Sequence, residues 1–96
     1  MSNITVIAKI LAKEGSVEDV KGELLKLITP TREEKGCIEY ILHQDSEDPA
    51  LFIFYETWDS LDSLEKHMKS AHFIQYVTAV SSMIGDKVVH KMTKIA

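Results

Sequence analysis

The 96-residue sequence predicts an α+β fold of the ferredoxin-like type, β-α-β-β-α-β with a split second helix. Three observations predict it. Stretches that alternate between two faces and are rich in β-branched or aromatic residues, as strands are, lie at 3–13, 37–45 and 51–58. Apolar residues at helical spacing follow the first and third of these stretches. A last strand at 86–96 would complete a four-stranded antiparallel sheet with helices on one face.

The first strand and the first helix are predicted from the stretch between Asn3 and Gly36. NITVIAKILAK, residues 3–13, has apolar side chains on both faces, which indicates a strand covered on both sides. Ser16 is expected to cap the helix that follows, because acidic residues come next and complement the helix dipole. Helical spacing continues to about Lys35. Pro30 should kink this helix, and Gly36 should end it.

The second and third strands are predicted to form a hairpin. The connection SEDPA is short and carries an Asp-Pro turn signal, so the strands 37–45 and 51–58 should pair antiparallel. Phe54, Glu56 and Trp58 share one face of the third strand. Tyr40 lies on the same face of the second strand as Ile38 and Leu42, which indicates that its side chain faces the helices.

The second helix is predicted in two pieces. Asp59 or Ser60 would cap a short helix whose inward residues are Leu61, Leu64 and Met68. Ser70 would start the second piece, which Gly85 would end. Its predicted apolar stripe is Phe73, Tyr76, Val77, Val80 and Ile84.

Composition limits the functional classes. The chain is long enough for one domain, 1–96. Its net charge is −4 and its 11 Lys and Arg residues are scattered, which excludes a nucleic-acid surface from the prediction. No apolar run approaches the ~20 residues that span a bilayer, so no membrane partner is expected. The single cysteine, Cys37, precludes an intrachain disulfide and favours a cytoplasmic location. The glycines stand singly, so no nucleotide-binding loop is predicted.

A homodimer is also expected. A domain of this size buries only ~60–65% of its unfolded surface, so burial against a second copy would add stability. The sheet face away from the helices carries Ile41, Ile53 and Tyr55 and needs cover. Two such faces packed together would form a barrel-like core. His43 would lie at this interface and His90 in solvent.

Three residues stand out as candidates for chemistry, each with a plainer alternative. Burial between Phe54 and Trp58 would raise the pKa of Glu56 and make it a possible base. Alternatively, Glu56 pairs with an Arg or Lys, such as Arg32, or caps backbone amides where the sheet meets a helix. Trp58 should pack in the core and could also line a cavity. His67 follows Leu64 by three positions, so a neutral imidazole there could deprotonate a phenol near pH 7, or it could simply bond a backbone carbonyl.

A metal site is not expected. His67 and His72 are five positions apart, which does not place both on one helical face, and the sequence suggests no third ligand. His72 would instead fix the corner between the two helix pieces. Cys37 should be a small packed residue without a neighbouring base.

The order of elements, together with the residues of 30–73, resembles the antibiotic biosynthesis monooxygenase (ABM) domain family. The resemblance covers essentially the whole chain. The features that carry it are Pro30-Thr31-Arg32, Gly36-Cys37, Tyr40, His43, Asp45, Phe52, Glu56, Trp58, His67 and His72-Phe73.

The resemblance implies a dimeric α/β barrel with a cavity between sheet and helices in each subunit. Some members oxidise quinols or phenols with O₂ and use neither metal nor flavin, so no cofactor is expected. In the family, a strand Trp and a strand Tyr help to bind and activate the substrate, and Trp58 and Tyr40 look like their equivalents. The candidate catalytic residues are His67, Glu56 and Trp58, with His67 or Glu56 as the base. The candidate substrate-binding residues are Tyr40, Phe54, Leu64, Met68, His72 and Tyr76.

Two alternatives to the monooxygenase stay open. Some relatives isomerise a phosphorylated dicarbonyl, which would need cations at the cavity mouth, such as Arg32, Lys66 and Lys69. A non-catalytic dimeric binding protein would have its pocket filled by Phe54, Met68 and Tyr76. Relatives that degrade haem need an asparagine on the first strand. The only early asparagine here, Asn3, lies at the strand's edge, so haem cleavage is not expected.

Overall fold

A computed structural model describes residues 3–96. Four strands and four helices follow in the predicted order, and both helical regions are divided. The elements are β1 (Ile4–Ala12), α1 (Val17–Lys26), α2 (Ile28–Arg32), β2 (Cys37–Gln44), β3 (Leu51–Trp58), α3 (Leu61–Met68), α4 (Ala71–Ala79) and β4 (Ile84–Met92). The ferredoxin-like β-α-β-β-α-β arrangement is confirmed.

The four strands form one antiparallel sheet in the order β2-β3-β1-β4. Tyr40 pairs with Glu56, and Phe54 pairs with Ala8 on the central strand β1. Because side chains alternate along a strand, this register puts Tyr40, Phe54 and Glu56 on one face. All three are buried, which confirms that Tyr40 faces the helices.

The hairpin between β2 and β3 is confirmed, and its turn is fixed by one carboxylate. Oδ2 of Asp45 accepts hydrogen bonds from the backbone N–H groups of Glu47 (3.0 Å) and Asp48 (2.7 Å). Such a side chain replaces backbone partners that a tight turn leaves unpaired. The register of β3 against β2, and therefore the position of Glu56 beside Tyr40, depends on this turn.

The first helix does not run unbroken to Lys35. It breaks at Leu27, three residues before Pro30. Proline has no N–H to donate to the carbonyl four residues back, here that of Lys26, and its ring crowds that carbonyl. Lys26 is therefore the last residue of α1. Ser16 lies at the N-cap as predicted, but its side chain makes no capping hydrogen bond.

The second helical region starts as predicted and ends earlier. Ser60 caps α3 and Ser70 caps α4 through their side chains. The inward position predicted for Leu61 is wrong: it is 44% exposed, because the buried residues Leu64 and His67 place the inward face about 90° away at 3.6 residues per turn. Met68, also predicted to face inward, is 44% exposed as well. The prediction that the helix ends at Gly85 is also wrong. It ends at Ala79, and Ile84 already belongs to β4, where it pairs with Ala12 of β1 beside an irregularity.

The core lies between the helices and one face of the sheet. Its buried apolar residues are Val6, Ile10, Ala12, Val20, Leu24, Leu27, Tyr40, Phe52, Phe54, Trp58, Leu64 and Val80. The opposite face of the sheet carries no helix of residues 3–96. Apolar side chains stay exposed there: Leu11, Ile41, Tyr55, Val88 and Met92. In the same part of the chain, every helix is too short or too polar to cross a membrane.

Candidate active site

A cavity of about 410 Å³ lies between the sheet and the helices α3 and α4. All four strands contribute to its floor, and α3 and α4 provide its wall. Its volume falls in the range of small-ligand sites. The lining is mainly apolar and aromatic: Val6, Ala8, Lys9, Ile10, Leu27, Tyr40, Phe54, Glu56, Leu64, His67, Met68, Phe73, Tyr76, Val77, Lys87 and Val89.

Seven of the nine residues expected at the site line this cavity: Tyr40, Phe54, Glu56, Leu64, His67, Met68 and Tyr76. Trp58 and His72 do not line it. Trp58 lies behind Glu56 and next to His67, and His72 lies beyond Glu34. The cavity is open, so the side chains of Phe54, Met68 and Tyr76 do not fill it.

Among residues 3–96, His67 is the one histidine that lines the cavity. It is 2% exposed, and its ring is held by Tyr40, Trp58 and Phe73 at centroid distances of 5.7, 4.8 and 5.0 Å. Its Nδ1 lies 2.7 Å from Oε2 of Glu34. The alternative reading, a bond from this ring to a backbone carbonyl, is therefore wrong.

The bond to Glu34 determines what the other ring nitrogen can do. An ionised carboxylate only accepts hydrogen bonds, so Nδ1 of His67 carries the proton and Nε2 keeps a lone pair. Nε2 has no hydrogen-bond partner within residues 3–96, and Glu34 lies outside the cavity lining. Nε2 is thus the nitrogen left to face the cavity. Burial lowers the pKa of His67, the bond and charge of Glu34 oppose that shift, and the charge of His72 adds to it.

Glu34 was missed at the level of sequence. It stands in the charged run Arg32–Lys35, which has no apolar periodicity to mark one member as buried. The structure fixes it in the turn between α2 and β2. Its N–H donates to the Thr31 carbonyl, and its own carbonyl accepts from the Cys37 N–H.

Gly36 makes this turn possible. Its φ is +95°, a conformation that side-chain-bearing residues rarely adopt. A Cβ on Gly36 would also overlap the side chains of Ser63 and Asp59. Its carbonyl accepts the N–H of Asp59 at 2.9 Å, which ties the turn to the start of α3. Glu34 is therefore held against the helices, and Gly36 was the sequence signal that could have located it.

The corner between α3 and α4 brings His72 to the same carboxylate. The Ser70 hydroxyl donates to the His67 carbonyl at 2.6 Å and accepts the N–H of Phe73 at 3.3 Å. The chain therefore turns between the two helices, and the five-residue spacing does not hold the two histidines apart as it would on one continuous helix. Nε2 of His72 lies 2.7 Å from Oε2 of Glu34, the atom that also bonds His67. The expectation that the histidines have no third ligand-type neighbour is wrong, because Glu34 lies between them.

Glu56 and Trp58 form a second buried pair. Nε1 of Trp58 donates to Oε1 of Glu56 at 2.9 Å, and the two residues are 0% and 5% exposed respectively. Burial raises the pKa of Glu56 to about 7; the Trp58 bond lowers it, and the charge of Glu34 raises it. The expected pairing of Glu56 with Arg32 is wrong. Arg32 instead donates to the Tyr40 carbonyl from Nε (3.1 Å) and Nη2 (2.9 Å).

The phenols in the cavity stay neutral. Tyr40 stacks on Phe54 with a centroid distance of 4.4 Å and an angle of 21°. Burial raises the pKa of Tyr40 above its usual range and that of Tyr76 to about 12. The two rings therefore offer flat apolar surface and neutral hydroxyls. Cys37 is half-buried away from the cavity, and burial raises the pKa of its thiol to about 11.

The basic residues expected at the cavity mouth lie elsewhere. Arg32 bonds the β2 backbone, and Lys66 is exposed and pairs with Asp62 at 3.3 Å. Neither they nor Lys69 line the cavity. Lys87 does, and it pairs with Ile10 on the cavity face of the sheet. Lys9 also borders the cavity, but it pairs with Val88 on the opposite face of the sheet. Phe73 and Val77 are further lining residues that were not proposed as ligand contacts.

Comparison with known proteins gives one consistent family. The family model described as "Antibiotic biosynthesis monooxygenase" (ABM) matches residues 3–79. "Uncharacterized protein sll1783" of Synechocystis is 28% identical over 93 residues, which are 97% of this chain. The match spans only 63% of that relative's length. "Putative monooxygenase Rv0793" of Mycobacterium tuberculosis is 30% identical over 83 residues, 86% of this chain and 81% of that protein.

A solved structure agrees in fold over the full length. PA3566 from Pseudomonas aeruginosa superposes with a TM-score of 0.96 and is 32% identical, covering 100% of this chain and 97% of that one. The family model and the shared fold confirm the resemblance found in the sequence. The protein belongs to the antibiotic biosynthesis monooxygenase family.

Proposed function

We propose that this protein is a monooxygenase that oxidises a small quinol or phenol with O₂, with the substrate itself supplying the electrons. The observation that carries the proposal is His67, whose Nδ1 is held by Glu34 at 2.7 Å while its Nε2 is left for the cavity. Membership of the family supports the reaction class. The cavity supports the substrate class, because its apolar and aromatic lining suits a flat ring.

The first step is deprotonation of the substrate. Nε2 of His67 accepts the phenol proton, and the imidazolium that forms keeps its Nδ1–H bond to the Glu34 carboxylate. A fixed negative neighbour stabilises that cation and holds the ring in one tautomer, as in other carboxylate–histidine pairs. Glu34 thus acts as a positioning residue.

The second stage uses the electrons of the phenolate. One electron passes to O₂, and the resulting superoxide and phenoxyl radical join in a new carbon–oxygen bond. His67 returns its proton to the peroxide. Loss of the ring hydrogen as a proton, with cleavage of the O–O bond, releases water and leaves a quinone. For a naphthol the balance is naphthol plus O₂ giving naphthoquinone plus water.

Glu56 and Trp58 would act at the floor of the cavity. With its pKa raised to about 7, Glu56 holds its proton on an appreciable fraction of molecules at neutral pH. A protonated carboxyl can donate a hydrogen bond to an oxygen that gains negative charge, which an ionised one cannot. Trp58 fixes this carboxyl through Nε1. Tyr40, Phe54, Leu64, Met68 and Tyr76 would hold the ring.

The assembly we propose is a homodimer in the cytoplasm. The sheet face that carries Ile41, Tyr55 and Val88 has no cover from residues 3–96, and these residues are 38%, 37% and 40% exposed. A contiguous apolar face of this kind marks an association surface. A two-fold axis would bring the same face of a second copy against it, as in most homodimers. The unpaired Cys37 favours a reducing compartment.

Oxygen uptake tests the proposal. Chelator-treated protein is given a panel of naphthols and reduced quinols, and uptake is compared with spontaneous oxidation. The wild type and Glu65→Ala, an exposed neighbour on α3, should both raise the rate, and His67→Ala should lose the gain. Equal uptake by His67→Ala and wild type would contradict the role of His67.

An isomerase of a phosphorylated dicarbonyl is a second candidate, and Lys87 is the observation that favours it. Lys87 lines the cavity on the same sheet face as its pairing partner Ile10 and could hold an anionic group. Phosphate that binds in the cavity of the wild type, but not in that of Lys87→Met, would support this candidate. Phosphate that does not bind would remove it.

A further inference from the structure

Three ligand-type atoms meet where the turn after α2 reaches the α3–α4 corner. His67 Nδ1, His72 Nε2 and a carboxylate oxygen of Glu34 all lie within 4.8 Å of one another. They come from three separate segments, the Glu34 turn, α3 and α4. We propose that they form a binding site for a divalent transition-metal ion, with Zn²⁺ as the simplest occupant.

The donor set determines the kind of ion. Two imidazole nitrogens and one carboxylate oxygen suit Zn²⁺ and other first-row transition metals better than Ca²⁺ or Mg²⁺, which prefer oxygen ligands. Three protein ligands also leave at least one coordination position for water or another small molecule. With both rings neutral, Glu34 supplies one negative charge to offset the ion.

The geometry needs only a small adjustment. Each histidine nitrogen lies 2.7 Å from the same Glu34 oxygen, Oε2. Around Zn²⁺, with ligand distances of roughly 2.0–2.2 Å, neighbouring donors are roughly 3–3.5 Å apart. Each histidine nitrogen would therefore move about half an ångström away from Oε2 to admit the ion. The two histidine nitrogens themselves lie within 4.8 Å of each other.

The surroundings are built to hold these side chains. Ser70 fixes the corner between the two histidines, and the Gly36 turn fixes Glu34. The side chains of His67, Glu34 and His72 are 3%, 16% and 24% exposed. An ion could therefore enter past His72 and end beside a buried imidazole.

Metal binding and the base role of His67 exclude each other, a consequence that rests on the proposed function. A neutral imidazole bound to metal through Nδ1 carries its proton on Nε2. Nε2 would then donate a hydrogen bond to the cavity and could no longer take a proton from a phenol. An occupied site would therefore hold the enzyme inactive.

Zinc titration of metal-free protein tests the site without any assay of activity. Binding is followed by calorimetry and by metal analysis after dialysis, for wild type, His72→Ala and Glu34→Gln. The double variant His43→Ala/His90→Ala, which removes two exposed histidines outside the cluster, serves as control. Circular dichroism checks that each variant is folded. Wild type and control should bind one ion per chain.

His72→Ala and Glu34→Gln should lose more affinity than the roughly 10–100-fold that removal of an outer-shell partner costs. No saturable one-to-one binding by wild type, unchanged affinity in both variants, or loss of binding in the control would each overturn the site. Zn²⁺ that binds as expected but leaves oxygen uptake unchanged would overturn the base role of His67 and leave the metal site standing.

Discussion

Nδ1 of His67 lies 2.7 Å from Oε2 of Glu34, across 33 positions of sequence. The contact joins a turn after the first helical region to the helix that walls the cavity. It determines which nitrogen of His67 can act on a ligand, because the carboxylate accepts the proton-bearing one. His72 reaches the same oxygen at 2.7 Å. The chemistry of the site thus depends on a residue that does not line it.

Glu34→Gln should lower kcat/KM for the oxidised phenol by roughly 100-fold or more, within the range of general base catalysis. An amide cannot stabilise the imidazolium, and it can donate to Nδ1 and so reverse the tautomer. Steady-state oxygen uptake measures the effect. Glu33→Gln, the exposed neighbour, should behave as wild type. A Glu34→Gln enzyme with wild-type kcat/KM would exclude the carboxylate–histidine pair from catalysis.

Stability should depend on pH through Glu56. Its folded pKa of about 7 lies above the ordinary value of 4.5, so the folded state binds more protons between these values. The folded state therefore loses stability, on the order of 3 kcal/mol, as pH rises from about 4.5 to about 7. Below about pH 4.5 the carboxyl is protonated in both the folded and the unfolded state, so its ionisation no longer lowers the free energy of unfolding.

Glu56→Gln keeps an oxygen for Trp58 Nε1 and removes the titration. Urea unfolding across this pH range should show Glu56→Gln more stable than wild type at and above pH 7. The difference should shrink as the pH falls toward about 4.5. Parallel curves for the two proteins would mean that Glu56 does not carry the raised pKa.

Gly36→Ala should destabilise the fold by about 1–3 kcal/mol, because Ala is strained at a φ of +95° and its methyl group would overlap Ser63 and Asp59. Gly22→Ala is the matched control. Gly22 lies inside α1 with open space around it, so Ala there should stabilise by about 0.5–1 kcal/mol. Thermal unfolding measures both. Equal effects from the two substitutions would contradict the structural role given to the Gly36 turn.

Ile41→Glu should convert the proposed dimer to a monomer of 10.9 kDa, because it places a charge in the apolar face shared by two copies. Ile74→Glu, on the 54% exposed outer side of α4, should leave the assembly unchanged. Analytical ultracentrifugation distinguishes the two species. Wild type that sediments as a monomer would contradict the dimer directly.

The fold could be predicted from the sequence because local signals and tertiary structure agree. Alternation in β2 and β3, the Asp-Pro turn and the serine caps at Ser60 and Ser70 each specify an element without reference to distant residues. The errors occur where two principles compete. The apolar residues keep helical spacing past Leu27, but the helix breaks at Leu27. The cause is Pro30, which disrupts the turn that precedes it.

The candidate site was less predictable. His67 could be recognised because its spacing from Leu64 marks an inward residue. Glu34 was harder to recognise: Gly36 marks the turn, but nothing in the charged run Arg32–Lys35 distinguishes Glu34, whose burial comes from contact with α3 and α4. The orientation of Trp58 behind Glu56, away from the cavity, likewise follows from packing in three dimensions.

The origin of the product oxygen tests the central claim most directly. Chelator-treated wild type is supplied with isotope-labelled O₂ and the best phenol from the panel, and the quinone is analysed by mass spectrometry. Monooxygenation with His67 as base predicts one labelled atom per quinone, at a rate that collapses in His67→Ala. Unlabelled quinone accompanied by hydrogen peroxide would contradict it and would show an oxidase.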